Sequence, residues 1–169
     1  MKTLWTPWRM KHVLGTAEQP AGCLFEPKGD ASQDQDALLL YRSRRLVVLL
    51  NRFPYANGHL LVAPARHVAD LDQLGKNERC ALMGMLADCT TILRNHLQPD
   101  GFNVGLNIGQ VAGAGIADHL HFHIVPRWRD DHNFITVCAE IRTIPQHIQR
   151  TFDLLAPDFR RLLNNKETP

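Results

Sequence analysis

The segment His119-Leu120-His121-Phe122-His123-Ile124-Val125 alternates imidazole and apolar side chains. Such alternation belongs to a β-strand, where successive side chains point to opposite faces. The spacing therefore predicts a strand over His119 to Val125, with Leu120, Phe122 and Ile124 in a core and the three imidazoles facing a site. Histidine has the side-chain pKa nearest neutrality, so this row offers a nucleophile, a proton carrier or metal ligands. The spacing alone leaves phosphoryl chemistry and metal binding open, because alternate histidines on one strand can share an ion.

The neighbouring residues add to this reading. A small-residue loop from Asn107 through Gly109, Gly113 and Gly115 to Asp118 feeds directly into the histidines. Glycine lets backbone N–H groups approach phosphate oxygens closely. The loop has neither the Gly-Lys-Ser/Thr ending of a P-loop nor a dinucleotide fingerprint. Alone it would be a plain turn; beside three imidazoles it reads as a phosphate cradle. Further back, Asn51-Arg52-Phe53-Pro54-Tyr55-Ala56-Asn57-Gly58 is a turn leading into a short apolar strand that opens with a fourth histidine, His59.

With these motifs the chain resembles the histidine triad family of nucleotidyl hydrolases and transferases, whose motif is His-φ-His-φ-His-φ-φ with φ apolar. Residues Gly113 to Phe134 are similar, more narrowly, to the bacterial diadenosine tetraphosphate phosphorylase-like branch, and the resemblance runs from Leu4-Trp5-Thr6-Pro7-Trp8-Arg9 to the Trp128 region. It implies that His121 attacks the α-phosphorus of a nucleotide and becomes transiently nucleotidylated. His123 would contact the phosphate, His119 would hold His121 in its reactive tautomer, and His59 would complete the hydrogen-bonded group. Asn51 matches a ribose-contacting position, Asn107 a phosphate-binding amide, and Gly113, Gly115 and Ile116 the phosphate loop. Other branches carry a Ser or Gln side chain near Gly115 or Ile116, so here backbone N–H groups carry more of the binding. The resemblance also implies a homodimer joined through the long helix and a neighbouring strand.

Some relatives bind structural zinc through a Cys-x-x-Cys and two histidines. Here Glu26 stands where the second cysteine would, and Cys23, His67 and His119 take the other positions. Structural sites favour thiolates, so Cys23 reads first as a small buried hydrophobe and structural zinc is not expected. No metal is expected in the chemistry, with Mg2+ admitted only as a companion of the bound nucleotide.

Elementary chemistry agrees with these roles. A neutral imidazole is a competent nucleophile at neutral pH, so His121 must be kept neutral, and nearby protonated histidines favour that by repulsion. Phosphate charge can be met by backbone amides and imidazolium without a lysine. Arg127 is open to phosphate or to pairing with Asp130 or Asp131, and Trp128 to packing or to walling a ligand.

The expectation is a nucleotidyl transferase or hydrolase cleaving adenine dinucleoside polyphosphates, with phosphate as acceptor and ATP and ADP as products. The first alternative is a dinucleoside polyphosphate or nucleoside phosphoramidate hydrolase using water. More remote are a metal-dependent hydrolase with His119, His121 and His123 as ligands, and a binding module without turnover.

At 169 residues the chain reads as a single domain over 1–169 with 44% hydrophobic and 21% charged residues and a net charge of +2. It has no Lys/Arg run, so a polymeric nucleic acid partner is not expected. The N-terminus lacks a signal-peptide core and no apolar run would span a bilayer, which makes a cytoplasmic location the expectation and excludes a membrane partner. The cysteines Cys23, Cys80, Cys89 and Cys138 form no Cys-x-x-Cys pair.

The polar stretch 27–36 reads as a mobile exposed loop. Leu38 to Tyr41 and Leu46 to Leu50 read as a hairpin turning at Ser43-Arg44, followed by strands at Leu60 to Val62, Phe102 to Ile108 and Phe134 to Cys138. Met83, Leu86, Leu93 and Leu97 give the stripe of a long helix over Asn77 to Leu97 with Asn77 as N-cap, and Met83 and Met85 as core or groove filler. Pro145 opens a C-terminal helical tail over 145–163, interrupted at Pro157. The fold class is therefore α+β, a histidine-triad-like antiparallel sheet with one long helix and a C-terminal helix. His12, His67, His96, His132 and His147 read as surface or structural, with His96 placed to favour the helix dipole.

Overall fold

Apolar runs bounded by turn residues build a five-stranded antiparallel sheet. The strands are β1 (Leu39–Arg42), β2 (Leu46–Leu50), β3 (Leu60–Pro64), β4 (Gly101–Leu106) and β5 (Phe122–Arg127), in the order β1-β2-β3-β5-β4. Two helices complete the fold, α1 (Lys76–Leu97) and α2 (Ile148–Glu167). The computed structural model describes residues 22–26, 34–129, 131 and 146–167. The expected strand at Phe134 to Cys138, the N-terminal Leu4 to Arg9 stretch, most of the 27–36 loop, and His12 and His132 lie outside the described residues. Within that loop, Asp34 to Asp36 form part of a turn, with Asp34 paired to Arg42 at 3.3 Å.

Ser43 closes the first hairpin, its hydroxyl accepting the Leu46 N–H at 3.1 Å. Every residue of β2 and β3 is buried because this part of the sheet is covered on both faces, whereas edge strand β4 is partly exposed. One face puts Val48, Leu50, Leu60, Val62 and Ile124 against the helices; the other puts Leu39, Val47, Leu49, Leu61 and Ala63 against Phe25.

The histidine segment enters the sheet later than its alternation predicts. Pairing begins at Phe122, opposite Val62 of β3 and Leu106, the last residue of β4. His119 and His121 therefore precede β5, and the Leu120 N–H goes instead to the Val68 carbonyl at 2.6 Å. Leu120 and Ile124 are in the core as expected, and Phe122 packs against it.

Helix α1 starts one residue before Asn77, and its N-cap is Gly75, whose N–H donates to the Glu78 carboxylate at 2.8 Å. That reach-back from the third helical position fixes the end better than an asparagine already inside the first turn. The buried stripe is Leu82, Met85, Leu86, Cys89, Ile92 and Leu93. Met83 is not part of it: one residue on from Leu82, it turns outward and is 63% exposed. Helix α2 begins at Ile148, after the expected opening at Pro145, which lies outside the described residues, and it runs past the expected end at 163, continuing through Pro157. Pro157 lies on the exposed side, as does Asp153, so the carbonyl freed by the missing N–H is one that water can reach. Its other side seats Phe152, Leu155, Ala156 and Phe159 in the main core.

Candidate active site

β5 lies between β3 and β4, which carries the histidine segment to the middle of the sheet, where His59 opens the approach to β3. His59, His119 and His121 are buried, and His123 is half-buried. The ring pairs His121–His123 and His59–His123 have centroids 4.9 and 5.2 Å apart.

The hydrogen bonds assign the tautomers. The His121 Nδ1 lies 2.8 Å from the His119 carbonyl, which can only accept, so Nδ1 carries the proton and Nε2 keeps its lone pair. The Tyr55 N–H donates to His59 Nδ1 at 3.1 Å, and the Asn51 amide nitrogen lies 3.3 Å from the same atom. The proton of His59 is therefore on Nε2, which donates to His123 Nδ1 at 3.0 Å. His123 in turn holds its own proton on Nε2.

Burial sets the charge state. Desolvation lowers the pKa of His121, against the opposing pull of the His119 carbonyl. Desolvation, reinforced by the neighbouring His121, pushes His123 down to about 4. Desolvation lowers His119 as well, and the Pro64 carbonyl opposes it. The site thus presents neutral imidazoles at neutral pH: one lone pair on His121 and one N–H on His123.

Two aromatic residues belong to this site that the sequence did not single out. Phe25, fully buried, rests against both His119 and His121 with centroids 4.9 Å from each, and supplies the apolar floor that desolvates them. Tyr55 stacks near His59 and His123, at 4.6 and 6.0 Å. Phe25 was legible only as a neighbour of Cys23, and Tyr55 only as a loop residue.

Asn51 is tied into its own loop: beside the His59 contact, its Oδ1 accepts the Phe53 N–H at 2.9 Å. Asn107 binds the glycine loop itself, its amide donating to the Gly113 carbonyl at 3.3 Å. That loop is shaped by a 3-10 turn at Gln110–Ala112 and by Gly113, whose φ of 86° suits glycine. Gly113 and Gly115 are exposed, while Ile116 packs against the cluster that contains Phe25. Arg127 takes its structural alternative, a fork onto Asp131 and a bond to Asn103. Trp128 donates to the Leu97 carbonyl at 3.3 Å and packs there. His96 pairs with Asp158.

Cys23, Glu26, His67 and His119 meet beside the site, with one donor atom from each lying within 4.8 Å of the others. Cys23 Sγ is 3.1 Å from His119 Nδ1, and His67 Nδ1 is 3.0 Å from Glu26. His119 donates its Nε2–H to the Pro64 carbonyl at 2.9 Å, and Asp118 stands 3.6 Å from His67 Nε2. A thiol, a carboxylate and two imidazoles, with outer partners fixing the rings, fit a four-coordinate transition-metal ion. His121 and His123 belong to no such group among the described residues, and His119 turns its imidazole away from them.

Residues 32–130 match the HIT domain. The chain is 38% identical over 172 residues to an AP-4-A phosphorylase of Mycobacterium tuberculosis, covering 95% of this chain and 86% of that one. Among solved structures it resembles a hypothetical histidine triad nucleotide-binding protein of Sulfolobus tokodaii, with a TM-score of 0.60 and 22% identity over 85% of this chain and 93% of that one. A Zn-bound histidine triad family protein of Mycobacterium smegmatis gives a TM-score of 0.59 and 25% identity over 77% and 88%. The match over more than half of the chain and the identity to this relative agree, and the chain belongs to the HIT-domain family.

Proposed function

We propose that this protein is a nucleotidyl transferase that cleaves adenine dinucleoside polyphosphates, with inorganic phosphate as acceptor. The observation that carries this reading is the His121 tautomer: Nδ1–H is committed to the His119 carbonyl, so Nε2 is the nucleophile. His121 Nε2 attacks the α-phosphorus of diadenosine tetraphosphate, the bond from that phosphorus to the bridging oxygen breaks, and ATP leaves. AMP remains joined to His121 through a P–N bond. A phosphate oxygen then attacks the same phosphorus, the P–N bond breaks, and ADP leaves. The His123 Nε2–H is the donor for phosphate oxygens as charge builds in each step. The backbone N–H groups of the 109–116 loop share that work.

The identity to a phosphorylase over nearly the whole chain supports phosphate over water. Water in the second step would give AMP, the outcome expected of a hydrolase. Product analysis with and without phosphate tests the choice: ATP plus ADP with phosphate, and much slower ATP plus AMP without it. Equal rates of AMP release under both conditions would make the protein a hydrolase.

Two further readings belong to this proposal. Cys23, Glu26, His67 and His119 hold zinc, as the likeness to a Zn-bound relative suggests. The ion would brace the Cys23 segment against His119 and take no part in the chemistry. The protein works as a homodimer through edge strand β4 and α1, whose outer surfaces expose Val104 and Met83. No helix of the described residues is long and apolar enough to cross a membrane.

A further inference from the structure

The family match ends at residue 130, yet α2 begins at Ile148 and reaches back to the site. Thr151 is a polar residue on the buried side of α2, only 1% exposed among Phe152, Leu155 and Phe159. Its hydroxyl donates to Asn57 Oδ1 at 2.9 Å. The other end of the same amide, Asn57 Nδ2, donates to Gln146 Oε1 at 2.9 Å. Both ends of one side chain are therefore held by the α2 segment, 94 and 89 residues away along the chain.

The next residue, Gly58, lies close against the end of α1. Its φ is +74°, and a Cβ there would stand 2.4 Å from Leu97 Cδ1 at the end of α1. Asn57 is thus bonded to the α2 segment while Gly58 lies close against the end of α1. His59 follows immediately, its N–H bonded to the Ala56 carbonyl at 3.2 Å and its carbonyl to the Asn51 N–H at 2.9 Å. A clamp on Asn57 is a clamp on the backbone from which the His59 imidazole projects. That imidazole supplies the 3.0 Å bond that fixes the proton of His123.

We infer that α2 is part of the catalytic apparatus: Thr151 and Gln146, through Asn57, are positioning residues for His59 and hence for the His123 proton. A purely structural helix has no need of a buried hydroxyl on its apolar side, since valine would fill the same space without desolvating a polar atom. The hydroxyl sits where α2 meets the loop that leads into His59. The geometric demand is steep, because a misplacement of about 1 Å can cost roughly a hundredfold in rate.

The inference rests on the nucleotidyl-transfer reading for its rate arm, but not for its spectroscopic arm. The test compares Thr151→Val, Thr151→Ser and Gln146→Leu in the full chain labelled with 15N-histidine. Thermal unfolding monitors the fold, imidazole 15N shifts report the tautomers of His59 and His123, and steady-state kinetics on diadenosine tetraphosphate give kcat and KM. Thr151→Val is expected to shift the His59 and His123 signals and to lower kcat by roughly ten- to a hundredfold with little change in KM. Thr151→Ser should restore both, and Gln146→Leu should move both in the same direction by less. If Thr151→Val does not fold, Gln146→Leu decides, since Gln146 lies before the helix and outside the core. Unchanged histidine signals in the folded variants would overturn the inference. A wild type that shows these tautomers but does not turn over the dinucleotide would instead overturn the functional reading.

Discussion

His121 Nδ1 is held 2.8 Å from the main-chain carbonyl of His119, while the His119 imidazole faces away toward Cys23 and Pro64. The His121 ring, the nucleophile of the proposed reaction, is therefore oriented by a backbone atom that no side-chain substitution removes. This separates two neighbours that the sequence alone presents as equivalent members of a row.

His121→Ala is accordingly expected to abolish turnover, whereas His119→Ala, which keeps the carbonyl, should retain far more of it. Loss of a nucleophile typically costs several powers of ten, so His121→Ala retaining over about a hundredth of the wild-type rate would remove the role. Because His121 is buried against Phe25, the substitution should also cost stability, on the order of 1–3 kcal/mol. Urea unfolding alongside the rate assay separates the two losses.

Asn51→Ala tests whether its amide serves the substrate or the site. A ribose contact alone would raise KM and leave kcat, because it binds ground and transition states alike. Asn51 also touches His59 Nδ1, so kcat is expected to fall severalfold as well. Steady-state constants decide it: a raised KM with unchanged kcat would confine Asn51 to the substrate.

Much of this was legible locally. Alternation at His119 to His123 marks Leu120 and Ile124 for the core, and Gly58 marks a turn before His59, but alternation does not report that the His119 imidazole turns away from the other two. The missing parts were contacts between distant segments. Phe25 under the histidines and Thr151 on Asn57 follow no local period, because nothing in either segment's spacing reports what packs on it. Local rules also yielded to context at Pro157, which α2 tolerates on its exposed side, and at Asn77, where Glu78 reaching back to Gly75 outweighs an asparagine as the start signal.

Zinc at Cys23, Glu26, His67 and His119 should be measurable in the purified protein by elemental analysis, and Cys23→Ala should lose it. An ion that binds only the folded state stabilises it by mass action, so chelation should lower Tm in the wild type and not in Cys23→Ala. Turnover should survive chelation at temperatures where the fold persists. Identical metal content in the two proteins would remove the site. Complete loss of activity in a folded, metal-free protein would favour metal-dependent chemistry.

His123 predicts the direction of acid sensitivity. Its pKa is about 4 in the folded protein and about 6.5 when solvated, so between those values the unfolded state binds the extra proton. The contribution of His123 to stability is therefore fully present above about pH 6.5 and is lost as pH falls through about 4. Burial lowers His121 in the same direction, so the acid limb of kcat should lie below the ordinary imidazole range. Urea unfolding across this window, repeated on His123→Gln, isolates the contribution: the variant should lose less stability on acidification than the wild type. Equal acid sensitivity in both proteins would show that His123 is not held neutral by the fold.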